Sequence, residues 1–164
     1  MDYLWTPWRF TYITQADQAS GCVFCEKQAA TDDERNYIVY RGRKNYILLN
    51  VYPYTVGHLM IVPYRHIATL EESGRDEMLE MMELTCRAEA ALRKTYRPHG
   101  MNLGMNIGKS AGAGVAGHIH MHVLPRWDAD ANFMSVIGET RVLPEELPVT
   151  WAKLRKEFEQ DRGS

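Results

Sequence analysis

The run His118-Ile119-His120-Met121-His122 constrains this chain more than any other feature, because three imidazoles alternate in it with apolar side chains. Neighbouring side chains of a β-strand point to opposite faces, whereas a helix would scatter these positions around its axis. We therefore predict a strand that opens at His118, with the imidazoles on one face. A purely structural role is costly, since each buried imidazole needs hydrogen-bond partners. The histidine face is predicted to form a site.

Imidazole is the side chain best suited to attack phosphorus near neutral pH, because much of it is then uncharged and nucleophilic. The middle histidine, His120, is the candidate nucleophile, and it needs its second ring nitrogen protonated and held. Residues 108–114, just upstream, are rich in glycine, which lets backbone N–H groups approach phosphate oxygens closely. Lys109 and Ser110 add side-chain donors there. The sequence predicts a site for a phosphate-bearing substrate.

The composition of the whole chain indicates one domain with a small partner. Its 164 residues are enough to bury a core of ordinary size. The formal charge of -2 provides no basic field for a long phosphate backbone, so no nucleic-acid partner is expected. Apolar runs stay shorter than the roughly 18 residues of a spanning helix, and the N-terminus has no signal-like pattern. We expect no membrane partner and a cytoplasmic location.

Apolar periodicity predicts an α+β domain, in which strands and helices are segregated along the chain. Short runs rich in aromatic and branched residues predict strands, the third antiparallel to the second, over residues 37–40, 46–50 and 58–63. Residues 75–96 repeat their apolar positions near every 3.6 residues, which predicts a long helix with methionines in the core. A strand from Met101 to Asn106 and a last helix over 145–159 complete the prediction.

The predicted domain has three parts: an N-terminal arm over residues 1–20, a core over 21–137 and a C-terminal extension with its helix over 138–164. Aromatic side chains of the arm would be costly to leave in water, so we expect them to pack on the domain or on a second subunit. They are Trp5, Trp8, Phe10 and Tyr12.

Cys22 and Cys25 have the spacing that lets two thiolates bind one tetrahedral zinc ion, which needs two further ligands. His66 and His118 are the candidates. A redox pair is the less favoured alternative, because the context is not a thioredoxin-like βαβ unit. A pair without metal is a second alternative, since a domain of this size need not depend on a metal. Cys86, among apolar neighbours at helical spacing, is predicted to be a small buried side chain.

Two blocks of the chain resemble the signature of the histidine triad (HIT) superfamily. One comprises Asn106, Gly108, Ala113-Gly114 and His118-x-His120-x-His122-Val123-Leu124-Pro125-Arg126, and the other comprises Asn50 and Gly57-His58-Leu59-Met60-Ile61-Val62-Pro63. The N-terminal Leu-Trp-Thr-Pro-Trp-Arg and the residues after Arg126-Trp127 resemble the bacterial diadenosine tetraphosphate phosphorylase branch of the superfamily.

The resemblance implies a HIT-like fold, with an antiparallel meander sheet, one long helix and a C-terminal helix, assembled as a homodimer or larger homo-oligomer. The implied activity is cleavage of a dinucleoside polyphosphate at its α-phosphate through a nucleotidyl-histidine, with inorganic phosphate as acceptor and ADP and ATP as products. A HIT hydrolase or phosphoramidase with water as acceptor is one alternative. A nucleotide-sensing module, in which turnover is incidental, is another.

The resemblance also implies a role for each matching residue. His120 is the nucleophile, and His122 and His58 contact the phosphates or assist the leaving group. Asn50 matches the ribose-binding position. The other nucleotide-binding or phosphate-binding positions are Leu48 and Met60 beside the base, Asn106 beside the scissile phosphate, and Gly108, Lys109, Ser110, Gly114 and Trp127. Gly114 stands where the family commonly has Gln, so the contact made by that Gln is not expected here.

Relatives of this superfamily imply a structural zinc ion held by a Cys-x-x-Cys pair and two histidines, with the first histidine of the triad as a ligand. In this chain that set is Cys22, Cys25, His66 and His118. Such an ion would pin the N-terminal segment to the histidine strand. No metal is needed for the chemistry, and magnesium is expected only with the polyphosphate substrate.

Overall fold

A five-stranded antiparallel sheet organises the protein, whose computed structural model describes residues 21–128, 130 and 144–160. Strands β1 (Ile38–Arg41), β2 (Asn45–Leu49) and β3 (Leu59–Pro63) follow one another as the predicted meander. Strands β4 (Gly100–Gly104) and β5 (Met121–Arg126) exchange places, so that the order is β1-β2-β3-β5-β4. The histidine strand is therefore an interior strand of the sheet, and β4 forms an edge.

Helices cover both faces of this sheet, which confirms the predicted α+β class. Helix α2 (Arg75–Tyr96) has the predicted bounds, and α3 (Leu147–Gln160) lies close to the predicted last helix. Both pack on one face, while the short helix α1 (Val23–Ala29) lies on the other. The sequence does not predict α1, because seven residues are too few to display a helical period.

Two apolar clusters fill the spaces on either side of the sheet. The larger lies beneath α2 and α3 and includes Ile47, Ile61 and Val123, all fully buried. The smaller lies beneath α1, with the members Phe24, Ile38, Tyr46, Leu48, Met60 and Val62. Successive strand residues enter the two clusters in turn, so β2 and β3 are buried on both faces. This burial accounts for their continuous apolar sequences.

Helix α2 departs from the prediction in one respect. Cys86 is exposed, so the prediction of a buried thiol is wrong, and Met82 is exposed as well, whereas Met81 is in the core. Leu79 of the same helix is exposed too, at 58%. The apolar residues of α2 therefore extend beyond the stripe that faces the sheet, and periodicity alone does not separate the two sets.

The described residues contain no helix that is both long and apolar enough to cross a membrane. The predicted N-terminal arm lies outside the described residues, and so do the bounds of the predicted extension over 138–164.

Candidate active site

The three histidines of the motif meet at the start of β5. The strand begins at Met121, later than predicted, because His118 lies in a bend and His120 in the irregular segment between that bend and the strand. The main-chain N–H of Ile119 bonds to the carbonyl of Ile67 instead of joining the sheet ladder. The predicted alternation holds from His120 onward, since the rings of His120 and His122 have centroids 4.7 Å apart while Met121 and Val123 pack in the larger cluster on the other face.

A row of paired residues crosses the sheet at His122. From β1 to β4 the row is Ile38, Leu48, Met60, His122 and Gly104. Directly paired residues of antiparallel strands share a face. Leu48 and Met60, predicted to flank the base, therefore lie on the face of the sheet that His122 shares, opposite to α2.

Phe24 of α1 adds an aromatic ring to this face. Its centroid lies 4.9 Å from that of His120 and 5.5 Å from that of His118. It also packs with Leu48 and Met60 in the smaller cluster. Phe24 is not among the residues predicted from the sequence, and its position between Cys22 and Cys25 is the only signal that could have indicated it.

His120 has the geometry of an uncharged nucleophile. It is 5% exposed, and its Nδ1 lies 2.9 Å from the main-chain oxygen of His118. A carbonyl only accepts, so Nδ1 carries the proton and Nε2 keeps its lone pair. Burial lowers the pKa of His120, opposed by the hydrogen bond to the carbonyl. The ring is therefore neutral near neutral pH, as a nucleophile requires.

His58 and His122 form a second, separate pair of imidazoles. Nε2 of His58 lies 2.9 Å from Nδ1 of His122, and the two residues are 1% and 7% exposed. The loop between β2 and β3 surrounds Nδ1 of His58, where the main-chain nitrogen of Tyr54 is 3.2 Å away and Nδ2 of Asn50 is 3.4 Å away. The Tyr54 ring also packs on both histidines. The structure thus brings Asn50 and His58, predicted from separate positions, to the same site.

The four predicted metal ligands lie together on the other side of His120. The ligand atoms of Cys22, Cys25, His66 and His118 are all within 4.8 Å of one another. Nδ1 of His118 is 3.3 Å from Sγ of Cys22 and 3.7 Å from Sγ of Cys25, and Nδ1 of His66 is 3.4 Å from Sγ of Cys25.

These donors fit a zinc ion. Zn–S and Zn–N bonds of ordinary length in a tetrahedron require ligand atoms about 3.3 to 3.8 Å apart, which matches the sulfur–nitrogen distances. Nε2 of His118 lies 2.9 Å from the main-chain oxygen of Pro63, so it carries the ring proton and leaves Nδ1 free to bind a metal. Burial raises the pKa of the Cys25 thiol, and the neighbouring Cys22 raises it further. A divalent cation between the sulfurs would favour the thiolates instead.

Side chains of β1 and β2 hold α1 beside this cluster. The guanidinium of Arg41 donates to the main-chain oxygens of Gln28 and Ala30 and to the carboxylate of Asp33, each at 2.8 Å. The Tyr46 hydroxyl donates to the main-chain oxygen of Phe24 at 2.8 Å. Contacts from β1 and β2 therefore contribute to the placement of the segment that carries the two cysteines.

The remaining predicted residues are less closely tied to the histidines. Gly108 has a φ of 82° and Gly112 a φ of 89°, a region that favours glycine, and they flank a single 3₁₀ turn over Lys109–Ala111. Lys109 and Ser110 are exposed, while Asn106 and Gly114 are half-buried in the same connection. Val115 from its last part packs on the smaller cluster, which keeps the connection beside the site.

Trp127 lies at the far end of β5. It follows His122 by five residues, which corresponds to about 16 Å along an extended strand. The structure therefore does not bring Trp127 to the histidines of its own chain.

Comparisons with known proteins agree on one family. The family model described as HIT domain matches residues 32–129. A protein of Mycobacterium tuberculosis named AP-4-A phosphorylase is 41% identical over 162 residues, which cover 94% of this chain and 83% of that protein.

Two solved structures share the fold. A Zn-bound histidine triad family protein from Mycobacterium smegmatis has a TM-score of 0.70 at 24% identity, covering 88% of this chain and 98% of that chain. A hypothetical histidine triad nucleotide-binding protein from Sulfolobus tokodaii has a TM-score of 0.68 at 26% identity, covering 85% and 93%.

Proposed function

The chain belongs to the HIT domain family, and on that premise we propose that it cleaves dinucleoside polyphosphates such as diadenosine tetraphosphate at the α-phosphate, with inorganic phosphate as acceptor. The observation that carries the proposal is His120, a buried neutral imidazole whose Nδ1–H is held by a carbonyl. The choice of substrate and acceptor is supported by the name of the M. tuberculosis relative, whose match extends over nearly the whole chain.

The reaction has two displacements at the α-phosphorus. In the first, Nε2 of His120 forms a bond to phosphorus, the bond to the bridging oxygen breaks, and ATP leaves with a hydrogen bond from His122. In the second, an oxygen of inorganic phosphate attacks the nucleotidyl-histidine, the N–P bond breaks, and ADP leaves. His120 then returns to its neutral form. The products are ADP and ATP.

The surroundings of His120 supply the binding groups. Main-chain N–H groups of the glycine-rich connection, with Lys109, Ser110 and Asn106, are proposed to stabilise the non-bridging oxygens as charge shifts. Asn50 is proposed to accept a ribose hydroxyl. Its Oδ1 already accepts the N–H of Tyr52 at 2.9 Å, and a carbonyl oxygen has a second lone pair.

A zinc ion at Cys22, Cys25, His66 and His118 is proposed to be structural. It would supply a positive charge and a link between α1, the loop after β3 and the segment before β5. The carbonyl of His118 holds the Nδ1 proton of His120, so the metal ligand and the nucleophile are connected through one main-chain group. Magnesium stays a prediction, as a counterion of the substrate, and so does the cytoplasmic location.

A homodimer is proposed at the β4 edge of the sheet. An edge strand presents unpaired main-chain donors and acceptors that another chain can use. Leu103 on β4 is 48% exposed. A second copy would cover apolar surface of this kind. Light scattering that gives the mass of a monomer at micromolar concentration would contradict the dimer.

The deciding experiment is product analysis of diadenosine tetraphosphate with and without inorganic phosphate. Phosphorolysis gives ADP and ATP and depends on added phosphate. Hydrolysis gives AMP and ATP and ignores added phosphate, which would favour the hydrolase alternative. Binding without either pair of products would favour the nucleotide-sensing module.

The covalent intermediate has its own test. Label on the α-phosphate should remain on the protein after a rapid alkaline quench, because a phosphorus–nitrogen bond to histidine survives base and breaks in acid. His120→Asn is the matched control, and label retained by that variant would contradict the assignment of the nucleophile.

A further inference from the structure

We infer that Asp33 and Arg155 are positioning residues of the candidate site, because together they fix the guanidinium of Arg41, which holds α1. Arg155 lies on the C-terminal helix α3, and this helix is outside residues 32–129, the range that the HIT family model matches. The expected effect on nucleotide binding rests on the proposed function. The effect on α1 itself can be measured without any substrate.

The guanidinium of Arg41 connects Asp33 to α1. Its two terminal nitrogens donate to the main-chain oxygens of Gln28 and Ala30, and its Nε donates to Oδ1 of Asp33, each at 2.8 Å. Carbonyls at the end of a helix have no partner within the helix, so these bonds satisfy groups that α1 cannot satisfy itself. Because the guanidinium is planar and rigid, the position of Asp33 fixes the direction of the two bonds to α1.

The second oxygen of Asp33 is held by α3. Nη1 of Arg155 lies 3.2 Å from Oδ2 of Asp33, while Arg41 binds Oδ1. The side chains of Asp33, Arg41 and Arg155 are 23%, 28% and 26% exposed, so water partly screens both ion pairs. The contribution is therefore mainly geometric. A carboxylate with one partner can rotate, whereas a carboxylate bound at both oxygens by two guanidiniums is fixed in orientation.

Helix α3 is a firm support for Arg155. Its buried residues Leu154 and Phe158 belong to the larger apolar cluster. The indole N–H of Trp151 donates to the main-chain oxygen of Ile38 at 3.0 Å, which ties α3 to β1, the strand that ends with Arg41. Arg155 is therefore attached to a helix that is itself fixed to the sheet.

Helix α1 carries the groups through which these contacts reach the site. The ring centroid of Phe24 lies 4.9 Å from that of His120, and Phe24 packs with Leu48 and Met60, the proposed neighbours of the base. Cys25 of the same helix is a predicted zinc ligand. A less firmly held α1 should therefore weaken the binding of nucleotide and of zinc. The value of kcat should change less, because Nδ1 of His120 is held by a carbonyl outside α1.

The direct test is hydrogen exchange of the full chain, followed by mass spectrometry of peptides. Arg155→Met removes the guanidinium and keeps an unbranched side chain. Main-chain N–H groups of α1 should then exchange about fivefold faster, the scale of one lost hydrogen bond to a charged group. Those of β3 should exchange as before. Lys156→Met, on an exposed residue of the same helix, is the matched control and should leave the exchange of α1 unchanged.

A double-mutant cycle tests whether the effect passes through Arg41. Exchange of α1 in Arg41→Met should agree within about twofold with exchange in the double variant Arg41→Met and Arg155→Met, since residues that act through one contact are not additive. Additive effects, or unchanged exchange of α1 in a folded Arg155→Met protein, would overturn the inference. If Arg155→Met does not fold, Arg155→Lys decides in the same way, because it keeps the charge but not the planar guanidinium.

Two binding measurements extend the test to the site. In Arg155→Met, the zinc dissociation constant and KM for diadenosine tetraphosphate should each rise about three- to tenfold, less than the roughly 10- to 100-fold effect of groups that contact a metal ligand directly. A loss confined to kcat would overturn the inference. A protein that neither binds zinc nor cleaves diadenosine tetraphosphate would refute the proposed function, and hydrogen exchange would still decide the role of Asp33 and Arg155.

Discussion

His118 and His122, at the two ends of the histidine run, are both buried imidazoles, but their ring nitrogens have different partners. Nδ1 of His118 faces two thiols, while Nδ1 of His122 faces another imidazole. The first environment suits a cation and the second suits a neutral hydrogen-bond chain. The roles differ because α1 approaches one end and the loop between β2 and β3 approaches the other.

His120 contacts the residues at both ends of the run. It receives its tautomer from the main chain of His118 and touches the ring of His122. Substitutions of His120, of the residues at either end of the run, and of residues that hold those ends in place should therefore lower activity or stability by decreasing amounts.

The largest effect is expected at the centre. His120→Asn should lower kcat/KM for diadenosine tetraphosphate at least about a thousandfold, because it removes the proposed nucleophile of the first displacement, without which no nucleotidyl-histidine forms for the second. Thermal unfolding and equilibrium binding of the substrate should change little. Substantial activity in a folded variant would assign the attack to another group.

Breaking the imidazole pair should cost less. His122→Asn should lower kcat about a hundredfold, the scale of a lost donor to a leaving group, while labelled intermediate still forms slowly on His120. A loss as complete as that of His120→Asn, with no labelled protein, would contradict this division of roles.

Removal of predicted zinc ligands should lower activity less than removal of His122. The double substitution Cys22→Ser and Cys25→Ser should abolish zinc binding, measured by elemental analysis, and reduce activity by about 10- to 100-fold, as changes to outer supports of a site do. Cys86→Ser is the matched control, since this thiol is exposed and distant from the cluster, and it should keep its zinc. Zinc retained by the double variant would contradict the ligand set.

Arg41 holds α1 beside the predicted zinc ligands without being a ligand itself, so it can be substituted separately. Arg41→Met should lower the free energy of unfolding by about 1 to 3 kcal/mol, because it leaves the part-buried main-chain oxygens of Gln28 and Ala30, at the end of α1, without their donor. Zinc affinity should weaken in parallel. Arg35→Met, on an exposed residue of the same region, should leave both unchanged.

The smallest effect is a dependence of stability on pH. Burial lowers the pKa of His120 in the folded chain, so the unfolded chain binds a proton first as the pH falls through about 6.5. The unaltered protein should therefore lose stability below that pH relative to His120→Asn, by up to about 1.4 kcal/mol per pH unit. Denaturant titrations at several pH values measure the difference.

The sequence predicts the class of the fold and most of the side chains that the structure brings together. Alternation indicates the histidines, and the spacing of Cys22 and Cys25 indicates a candidate metal pair, beside which the structure places His66 and His118. The bounds of α2 follow from its period. These features are local in the chain or carry unusual residue types, so they leave a trace in the sequence.

Contacts that involve the main chain, or that depend on how a helix packs on the sheet, cannot be predicted from the sequence in this way. Every residue except proline has an N–H, so nothing in the sequence distinguishes the N–H of Tyr54, which bonds to His58. The contact of Phe24 with His120 depends on how α1 packs on the sheet, and an apolar residue between two cysteines is unremarkable by itself. The exposure of Cys86 depends likewise on which side of α2 meets the sheet.

Because Cys86 is exposed, the number of cysteines that react with a thiol reagent can be used to measure whether the predicted zinc site is filled. Of its three cysteines, two are expected to be covered by the ion and one remains open to a thiol reagent. A mass measurement after brief alkylation should therefore count one adduct on a loaded chain and three on a chain stripped by a chelator. One mass spectrum would therefore give the occupancy of the predicted zinc site, which is otherwise hard to follow because zinc neither absorbs visible light nor changes oxidation state.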